Sequence, residues 1–394
     1  MSQNNFDYVK KPLPLSFGKY GFILIGIGLI WVILSFIFEP LRATFNSLLI
    51  FTYLIGLGLC SLFLVGLEYI AGAVWSVPFR RIGEYLAILI FIAPIFAIPV
   101  LFNLDHVFHW AEKEAVMADK ILQWKSPYLN PGFFYIRIIV ILALAALFSW
   151  LLIGNSAKQD KNPDQKYTRV NIKLSAIFIP VFGISITVIA VDWIMSLSPH
   201  WFSTIFGIYY FAGSLLATFA VLTLFAVKLK NIGAYPDEIA GSHFYNFGAY
   251  MFAFTNFWAY IAFSQFLLIW YANLPEETVW FLSRSTGSWF YVSLGIILIN
   301  FIIPYAGLLS QPSKSNLKRL KIIGVWLLFA HYYDLYWLIM PSFSKQGATV
   351  SWVEPGFIIF AVGLVMALFK IVYEKRNLMP IGDPKLKRAL EFHL

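Results

Sequence analysis

Ten apolar stretches, each about twenty residues long, constrain the fold of this chain more than any other feature of its sequence. They cover approximately residues 19–38, 46–68, 84–102, 133–153, 172–195, 204–227, 247–271, 287–309, 321–341 and 356–373. A stretch of about 20 apolar residues crosses a bilayer as an α-helix, because the backbone polar groups of a spanning segment must pair within it. The sequence therefore predicts an all-α polytopic membrane protein with ten transmembrane helices.

The composition agrees with a membrane protein. Of the 394 residues, 60% are hydrophobic and 12% are charged, against about 25% charged residues in an average soluble domain. Many Trp and Tyr residues lie at span ends, which is typical of interfacial belts, so lipids are expected partners. The first apolar run is too long for the h-region of a cleavable signal, so we expect it to remain in the mature protein.

The formal charge of +9 is explained by cations concentrated in the predicted inner segments, and it does not indicate a nucleic-acid-binding surface. If the N-terminus is cytoplasmic, seven of the 29 Lys and Arg residues fall in outer segments, namely Arg42, Lys113, Lys120, Lys125, Arg137, Arg284 and Lys345. An excess of cations on the inner side is what the positive-inside rule describes. Both termini are therefore predicted to be cytoplasmic, and residues 154–171 to form a solvated inner loop.

Side chains that ligate redox cofactors are scarce in the predicted spans. His331 is the one histidine inside a span, and Cys60 is the one cysteine of the chain. A haem between two helices needs paired histidines, an iron–sulfur cluster needs about four cysteines, and covalent haem needs a C-x-x-C-H motif. We therefore expect the chain to bind no haem, cluster or metal of its own and to hold no complete active site.

A short internal duplication predicts how the spans are grouped. The third span ends in Asn103-Leu104-Asp105 and the seventh in Asn273-Leu274-Pro275-Glu276. The fifth and ninth spans carry Asp192 and Asp334, each seven residues before a proline. Both pairs are four spans apart, which is an even number, so the two copies share one orientation in the membrane.

This repeat predicts two four-helix bundles with a peripheral helix on each side. The bundles cover residues 45–203 and 204–345. Peripheral helices one and ten, each with a cytoplasmic tail, fall in residues 1–44 and 346–394.

Ionisable side chains at bilayer depth are the candidate functional residues, because each costs roughly 3 kcal/mol on insertion scales and requires a partner or a role. Glu68 lies near the inner end of the second span, and Asp192 lies in the outer part of the fifth. His331 and Asp334 are three residues apart in the ninth span, so they share one helix face. Together with Asp105 and His106 of the outer loop, these residues form the predicted proton path. No quinone-binding residue is assigned.

A structural interpretation of the same residues stays open. Glu68 lies close in sequence to Arg80 and Arg81, which favours an ion pair. His331 and Asp334 could serve only to bind neighbouring helices, with their hydrogen bonds supplied by three nearby tyrosines, Tyr332, Tyr333 and Tyr336.

Two longer motifs carry a resemblance to a known family. They are Asp192–Ser203, DWIMSLSPHWFS, and Phe257–Thr278, FWAYIAFSQFLLIWYANLPEET. Both resemble the NrfD-like membrane subunits of polysulfide-reductase type, and within that family they are most similar to the second such subunit of bacterial alternative complex III. One departure is the neutral segment 245–250, where the second subunit often carries charge at the start of its seventh span.

The resemblance implies a place in a quinol:cytochrome c or quinol:oxidase electron-transfer complex of the bacterial inner membrane. It implies a sister NrfD-like subunit that binds the quinol, menaquinone or ubiquinone. Haems and iron–sulfur clusters would reside in partner subunits, a multihaem cytochrome c and an iron–sulfur protein, with a terminal oxidase as a further partner.

The hypothesis from the sequence is therefore a non-cofactor membrane subunit that braces the sister subunit and conducts protons. Two alternatives stay open. One is a proton-coupled secondary transporter, which buried carboxylates and a parallel repeat would suit. The other is a pure scaffold subunit of a polysulfide-reductase-like complex.

Overall fold

A computed structural model describes residues 11–393, and within that range ten helices are long and apolar enough to cross a membrane. They are Leu15–Phe38, Pro40–Ala71, Val77–Phe102, Pro131–Lys161, Gln165–Leu197, Phe206–Asn231, Gly241–Ala272, Trp289–Leu308, Leu317–Phe343 and Val353–Lys375, called spans one to ten below. The rest of the described chain consists of short helices and loops, without a β-strand. The chain is therefore an all-helical, multi-pass membrane protein, as the apolar stretches predict. Residues 1–10 and 394, which belong to the predicted tails, lie outside the described residues.

Several spans are longer than their apolar stretches. Span four continues to Lys161 and span five begins at Gln165, so residues 162–164 alone connect them. The prediction of a solvated loop over residues 154–171 is wrong, because most of these polar residues lie on the ends of two helices. Asp164 closes the turn by accepting a hydrogen bond from the backbone N–H of Lys166, and this bond lowers the pKa of the Asp164 carboxyl.

Short helices fill the segments between the spans, which are called outer and inner below after the sides that the sequence predicts for them. The outer segment between spans three and four forms Leu104–Val107, His109–Ala111, Lys113–Ala118 and Lys120–Lys125. Others are Pro275–Leu282 before span eight, Gln311–Ser315 before span nine and Leu386–Leu390 after span ten. Span three is itself broken into Val77–Phe79, Arg80–Leu86, Leu89–Ile92 and Pro94–Phe102. Its prolines lack the N–H that a continuous helix needs.

Spans two and six form the centre of the molecule. Their apolar windows are 83% and 89% buried, more than those of any other span in the described chain. Span two packs against spans three, five, six and nine, and span six packs against spans five, seven and nine. Gly56 of span two lies directly against the hydroxyl groups of Tyr210 and Ser214, because a small residue lets two spanning helices approach closely.

Spans one and ten pack tightly against each other at the side of this centre. A Cβ atom at Gly28 of span one would lie 2.5 Å from the backbone nitrogen of Phe360, and one at Gly363 would lie 2.7 Å from that of Ile25. Glycine is therefore required at both positions. The pair contacts the remaining spans mainly through spans two and three.

Candidate functional site

Asp334 lies at the centre of a polar cluster between spans six, seven and nine. One carboxyl oxygen accepts a hydrogen bond from the Tyr209 hydroxyl at 2.5 Å, and the other accepts one from the indole N–H of Trp258 at 3.2 Å. Asp334 is 2% exposed. The ion pairs found within residues 11–393 do not include it. In the described chain, two neutral hydrogen-bond donors are therefore the polar partners of this buried carboxyl.

His331 faces the same interface one turn earlier in span nine. The centre of its ring lies 5.1 Å from that of Tyr53 on span two. A Cβ atom at Gly213 of span six would lie 3.0 Å from Nδ1 of His331 and 3.5 Å from Oδ2 of Asp334. Gly213 therefore allows both side chains to lie against span six. Neither ring nitrogen of His331 has a hydrogen-bond partner in the described part of the chain.

The tyrosines adjacent in sequence do not satisfy this pair. Tyr333 and Tyr336 donate hydrogen bonds to the backbone carbonyls of Val292 and Thr349 at 3.0 and 2.8 Å. The alternative in which these tyrosines satisfy His331 and Asp334 is therefore wrong, because the donors to Asp334 come from two other spans and His331 has no hydrogen-bond partner in the described chain.

Arg284 connects this cluster with the outer face. It is 2% exposed, its guanidinium carbon lies 3.6 Å from the centre of the Trp280 ring, and it donates to the carbonyls of Trp337 and Leu338 at 3.2 and 2.9 Å. It also interacts electrostatically with Tyr209. Burial lowers the pKa of the guanidinium to about 9, which leaves it charged at neutral pH. From the sequence Arg284 is an outer loop charge that could dock a partner, whereas the structure buries its side chain.

Asp192 lies in a different environment. Its carboxylate accepts hydrogen bonds from Nε of Arg137 at 2.6 Å and from the Tyr128 hydroxyl at 3.0 Å. It occupies a π-helical turn, Ala190–Ile194, a rare distortion that is frequent at functional sites. Burial, reinforced by the Asp192 charge, raises the pKa of Tyr128 to about 12, so this phenol stays a donor.

Glu68 also forms an ion pair, at the inner side. It accepts a hydrogen bond from Nε of Arg80 at 2.5 Å, while Nη1 of the same arginine lies 2.6 Å from Asp383 and 3.0 Å from the Tyr69 hydroxyl. Arg80 is one of the two arginines to which the structural interpretation of Glu68 points. All of these side chains are buried.

A cavity of about 240 Å³ opens beside Glu68 and Arg80. Eight of its 19 lining residues are aromatic. Trp75 stacks on Tyr250 with ring centres 5.7 Å apart, and Tyr250 stacks on Phe219 at 4.9 Å.

Polar residues at intervals of four connect the two regions along span six. Tyr210 donates to the carbonyl of Thr52, and Thr218 donates to the carbonyl of Ser214 at 2.8 Å. The Cys60 thiol of span two neighbours Thr218. Residues four apart share a helix face, so Tyr210, Ser214 and Thr218 lie on one face of span six, and Leu222, the next residue of that face, lines the inner cavity.

Asp105 and His106 are exposed and line an outer cavity of about 800 Å³. The same cavity is lined by Pro199, Glu276 and Pro341, so both copies of the internal duplication end there. Asp192 and Asp334 do not line it. The structure therefore does not bring the six predicted path residues together.

Several residues of the polar cluster could not be predicted from the sequence. Tyr209, Trp258 and Gly213 contact Asp334 or His331 from other spans, and an aromatic or small residue in a span carries no special signal. One signal is available in retrospect. An arginine precedes each deep aspartate, Arg137 before Asp192 and Arg284 before Asp334.

Comparison with known proteins does not assign the chain to a family. No protein-family model matches the chain, and no curated protein matches its sequence. In the residues that the structure describes, no group of three or more His, Cys, Asp or Glu side chains is arranged to hold a metal ion. The resemblance to NrfD-like subunits stays a prediction.

Proposed function

We propose that this chain is a membrane subunit of a quinol-oxidising electron-transfer complex, and that it conducts protons at Asp334 and His331 while it braces a quinol-binding sister subunit. The class of complex rests on the two long motifs. The proton role rests on one observation, a buried carboxyl without a cationic partner beside a histidine whose ring nitrogens are both free.

The contrast with the other buried acids supports this choice. Protonation of Asp192 would leave Arg137 as an unpaired buried cation, and removing one partner of such a pair costs about 3–5 kcal/mol. Glu68 belongs to a buried network in which Arg80 also pairs with Asp383, so its charge is already compensated by a cation. Asp334 has no such cation among the described residues, so its protonation leaves no buried cation without a partner. The proposal therefore assigns proton transfer to two residues, Asp334 and His331, and not to all six residues of the predicted path.

The proposed route has an outer and an inner branch. On the outer side Tyr209 joins Asp334 to the surroundings of Arg284, which lines the cavity shared with Asp105 and His106. On the inner side the face formed by Tyr210, Ser214 and Thr218 leads along span six toward the cavity beside Glu68, which Leu222 lines. Glu68 and Asp192 act as ion-paired anchors near the two ends.

The proposal includes the arrangement in the membrane. We place both termini in the cytoplasm and the chain in a bacterial inner membrane, on the balance of Lys and Arg and on the resemblance. Contacts among spans two to five and among spans six to nine support two four-helix bundles, with spans one and ten peripheral. Haems and iron–sulfur clusters belong to partner subunits in this proposal.

Asp334→Asn tests the proton role in the complex purified from its native membrane. We expect unchanged subunit and haem content with lower quinol-linked turnover or proton release. Glu354→Gln is the control, because it neutralises another buried acid, whose hydrogen-bond partners are Arg42, Asn46 and Ser351 and not members of the polar cluster. Its turnover per assembled complex should not change.

Two results would contradict the proposal in different ways. Normal turnover and proton release in assembled Asp334→Asn complex would remove the proton role. A chain that purifies without haem-bearing partners and shows no cytochrome absorption would remove the assignment to a redox complex.

A second candidate, a proton-coupled carrier, is favoured by the two cavities on the outer and inner sides of the polar cluster. It predicts solute uptake by the purified chain alone in liposomes, driven by a proton gradient and abolished by Asp334→Asn. Absence of uptake for a panel of solutes would exclude it.

A further inference from the structure

An apolar slot of about 480 Å³ lies between the pair formed by spans one and ten and the pair formed by spans six and nine. The slot exists because spans one and ten pack against span two and have few contacts with spans six and nine. Its inner wall consists of buried side chains of spans two and six, which are Ile50, Leu54, Leu57, Val221 and Phe225.

The slot opens sideways into the lipid. Its rim carries large apolar side chains of spans nine and ten that the rest of the chain leaves exposed, Val325 at 55%, Phe329 at 48% and Val362 at 47%. Lipid chains, and not water, face such a rim at bilayer depth.

The slot extends from the predicted inner ends of spans one and six to about the middle of span nine. Along span nine its lining extends from Val325 to Tyr332, which at 1.5 Å per residue is about 10 Å of a hydrocarbon core roughly 30 Å thick. Lys228 lines the slot at its predicted cytoplasmic end, called the mouth, and Tyr332 lines the opposite, deep end.

Lys228 is exposed and has no acidic partner in the described chain, whereas nearby lysines do. Lys230 pairs with Asp237 at 3.7 Å, and Lys370 of span ten pairs with Glu374 at 3.6 Å. The mouth of the slot therefore presents an uncompensated positive charge.

We propose that the slot binds one acyl chain of an anionic phospholipid of the inner leaflet, with the lipid phosphate paired to Lys228. Transfer of an acyl chain from bilayer to slot gains little, because lipid tails are as apolar as the lining. Selectivity must therefore come from the charge at the mouth, and basic sites between helix ends on the cytoplasmic side recognise anionic headgroups. A quinone ring at the deep end would find one unpartnered hydroxyl, that of Tyr332, and no cation.

Native mass spectrometry of the purified full chain tests this site. The delipidated chain is titrated with dioleoylphosphatidylglycerol, dioleoylphosphatidylcholine or a long-chain menaquinone. We expect one phosphatidylglycerol to be retained in preference to phosphatidylcholine, and Lys228→Gln to reduce that preference about fivefold, the contribution of one surface lysine. Val362→Trp, which fills the rim, should reduce retention of both phospholipids.

Lys173→Gln is the matched control, since Lys173 is an exposed lysine on span five, which does not line the slot. Glycerol phosphate alone should not compete, because it has no chain to occupy the slot. Equal losses in Lys228→Gln and Lys173→Gln, or menaquinone retained in preference to phosphatidylglycerol, would overturn the proposal. The site is independent of the proton role, so failure of one leaves the other standing.

Discussion

Arg137 and Asp192 show how a charge on one span becomes tolerable through a partner on another. The arginine lies at the outer end of span four, where sequence alone suggests an ordinary surface charge. In the structure it pairs with Asp192 at 2.6 Å, and its guanidinium carbon lies 3.9 Å from the centre of the Tyr128 ring. The pair therefore fixes the outer ends of spans four and five relative to each other.

We expect Arg137→Gln to lower the free energy of unfolding by about 3 kcal/mol, because it leaves the Asp192 carboxylate buried without a cation. Reversible unfolding in mixed detergent micelles measures the loss. The double variant Arg137→Met with Asp192→Leu should recover most of it, because neither ion then remains to be desolvated. A double variant as unstable as the sum of the single variants would contradict a buried-pair role.

Gly26 and Gly28 on span one provide a comparison within one helix. A Cβ atom at Gly28 would lie against the backbone of Phe360 on span ten, whereas at Gly26 it would have no neighbour within 4 Å. The contact between these two spans therefore depends on one face of span one.

We expect Gly28→Ala to destabilise the protein by about 1–3 kcal/mol through overpacking. Gly26→Ala should be neutral or slightly stabilising, because alanine is the better helix former. Thermal unfolding of the two variants in the same detergent distinguishes them. Equal shifts in their midpoints would show that spans one and ten do not meet at Gly28.

Asp119 holds together the short outer helix Lys120–Lys125 and the segment that follows span five. Its carboxylate accepts hydrogen bonds from the N–H groups of Ile121 and Leu122 at 2.8 and 3.3 Å, and it lies 2.5 Å from Nε2 of His200. The hydrogen bond to His200 lowers the pKa of the Asp119 carboxyl, and the backbone bonds add to this effect.

This pKa shift predicts a pH dependence with a definite sign. A carboxyl with a depressed pKa in the folded state stabilises the fold above its ordinary pKa of about 3.9, and this contribution is lost as the pH falls through the folded value. Amide exchange at Ile121 and Leu122 should therefore accelerate, relative to intrinsic rates, only below about pH 4. His200→Ala should move that transition to higher pH. An unchanged transition would mean that His200 has no part in it.

The number and nature of the spans could be predicted from the sequence, because each span carries its own hydropathy signal. The partners of the buried charges could not. Arg137 and Asp192 are 55 positions apart, and Tyr209 and Asp334 are 125 apart, so their contacts depend on how whole helices pack. Glu68 and Arg80 are 12 apart across one turn, and this pair was within reach of sequence reasoning.

The single cysteine makes the predicted topology easy to test. Cys60 is fully buried, so cysteines introduced at exposed positions can be labelled without removing it. A membrane-impermeant maleimide should label Lys113→Cys in intact cells, and Lys318→Cys only after permeabilisation. Both lysines are exposed, Lys113 at the start of the short helix Lys113–Ala118 and Lys318 in the first turn of span nine. The reverse pattern would invert the assigned orientation.

The network around Arg80 joins residues that are far apart in the chain and are therefore synthesised at different times. Arg80 and Arg81 emerge with only Glu68 and Glu84 close in sequence, whereas Asp160 and Asp383 arrive much later, and Tyr85 meets its acceptor, Asn377, 292 positions downstream. While the early helices enter the membrane, these arginines lack their later partners, and the positive-inside rule predicts that such cations hold their loop on the cytoplasmic side. Final folding then buries the same charges, so the signals that orient the nascent chain vanish from the surface of the finished protein.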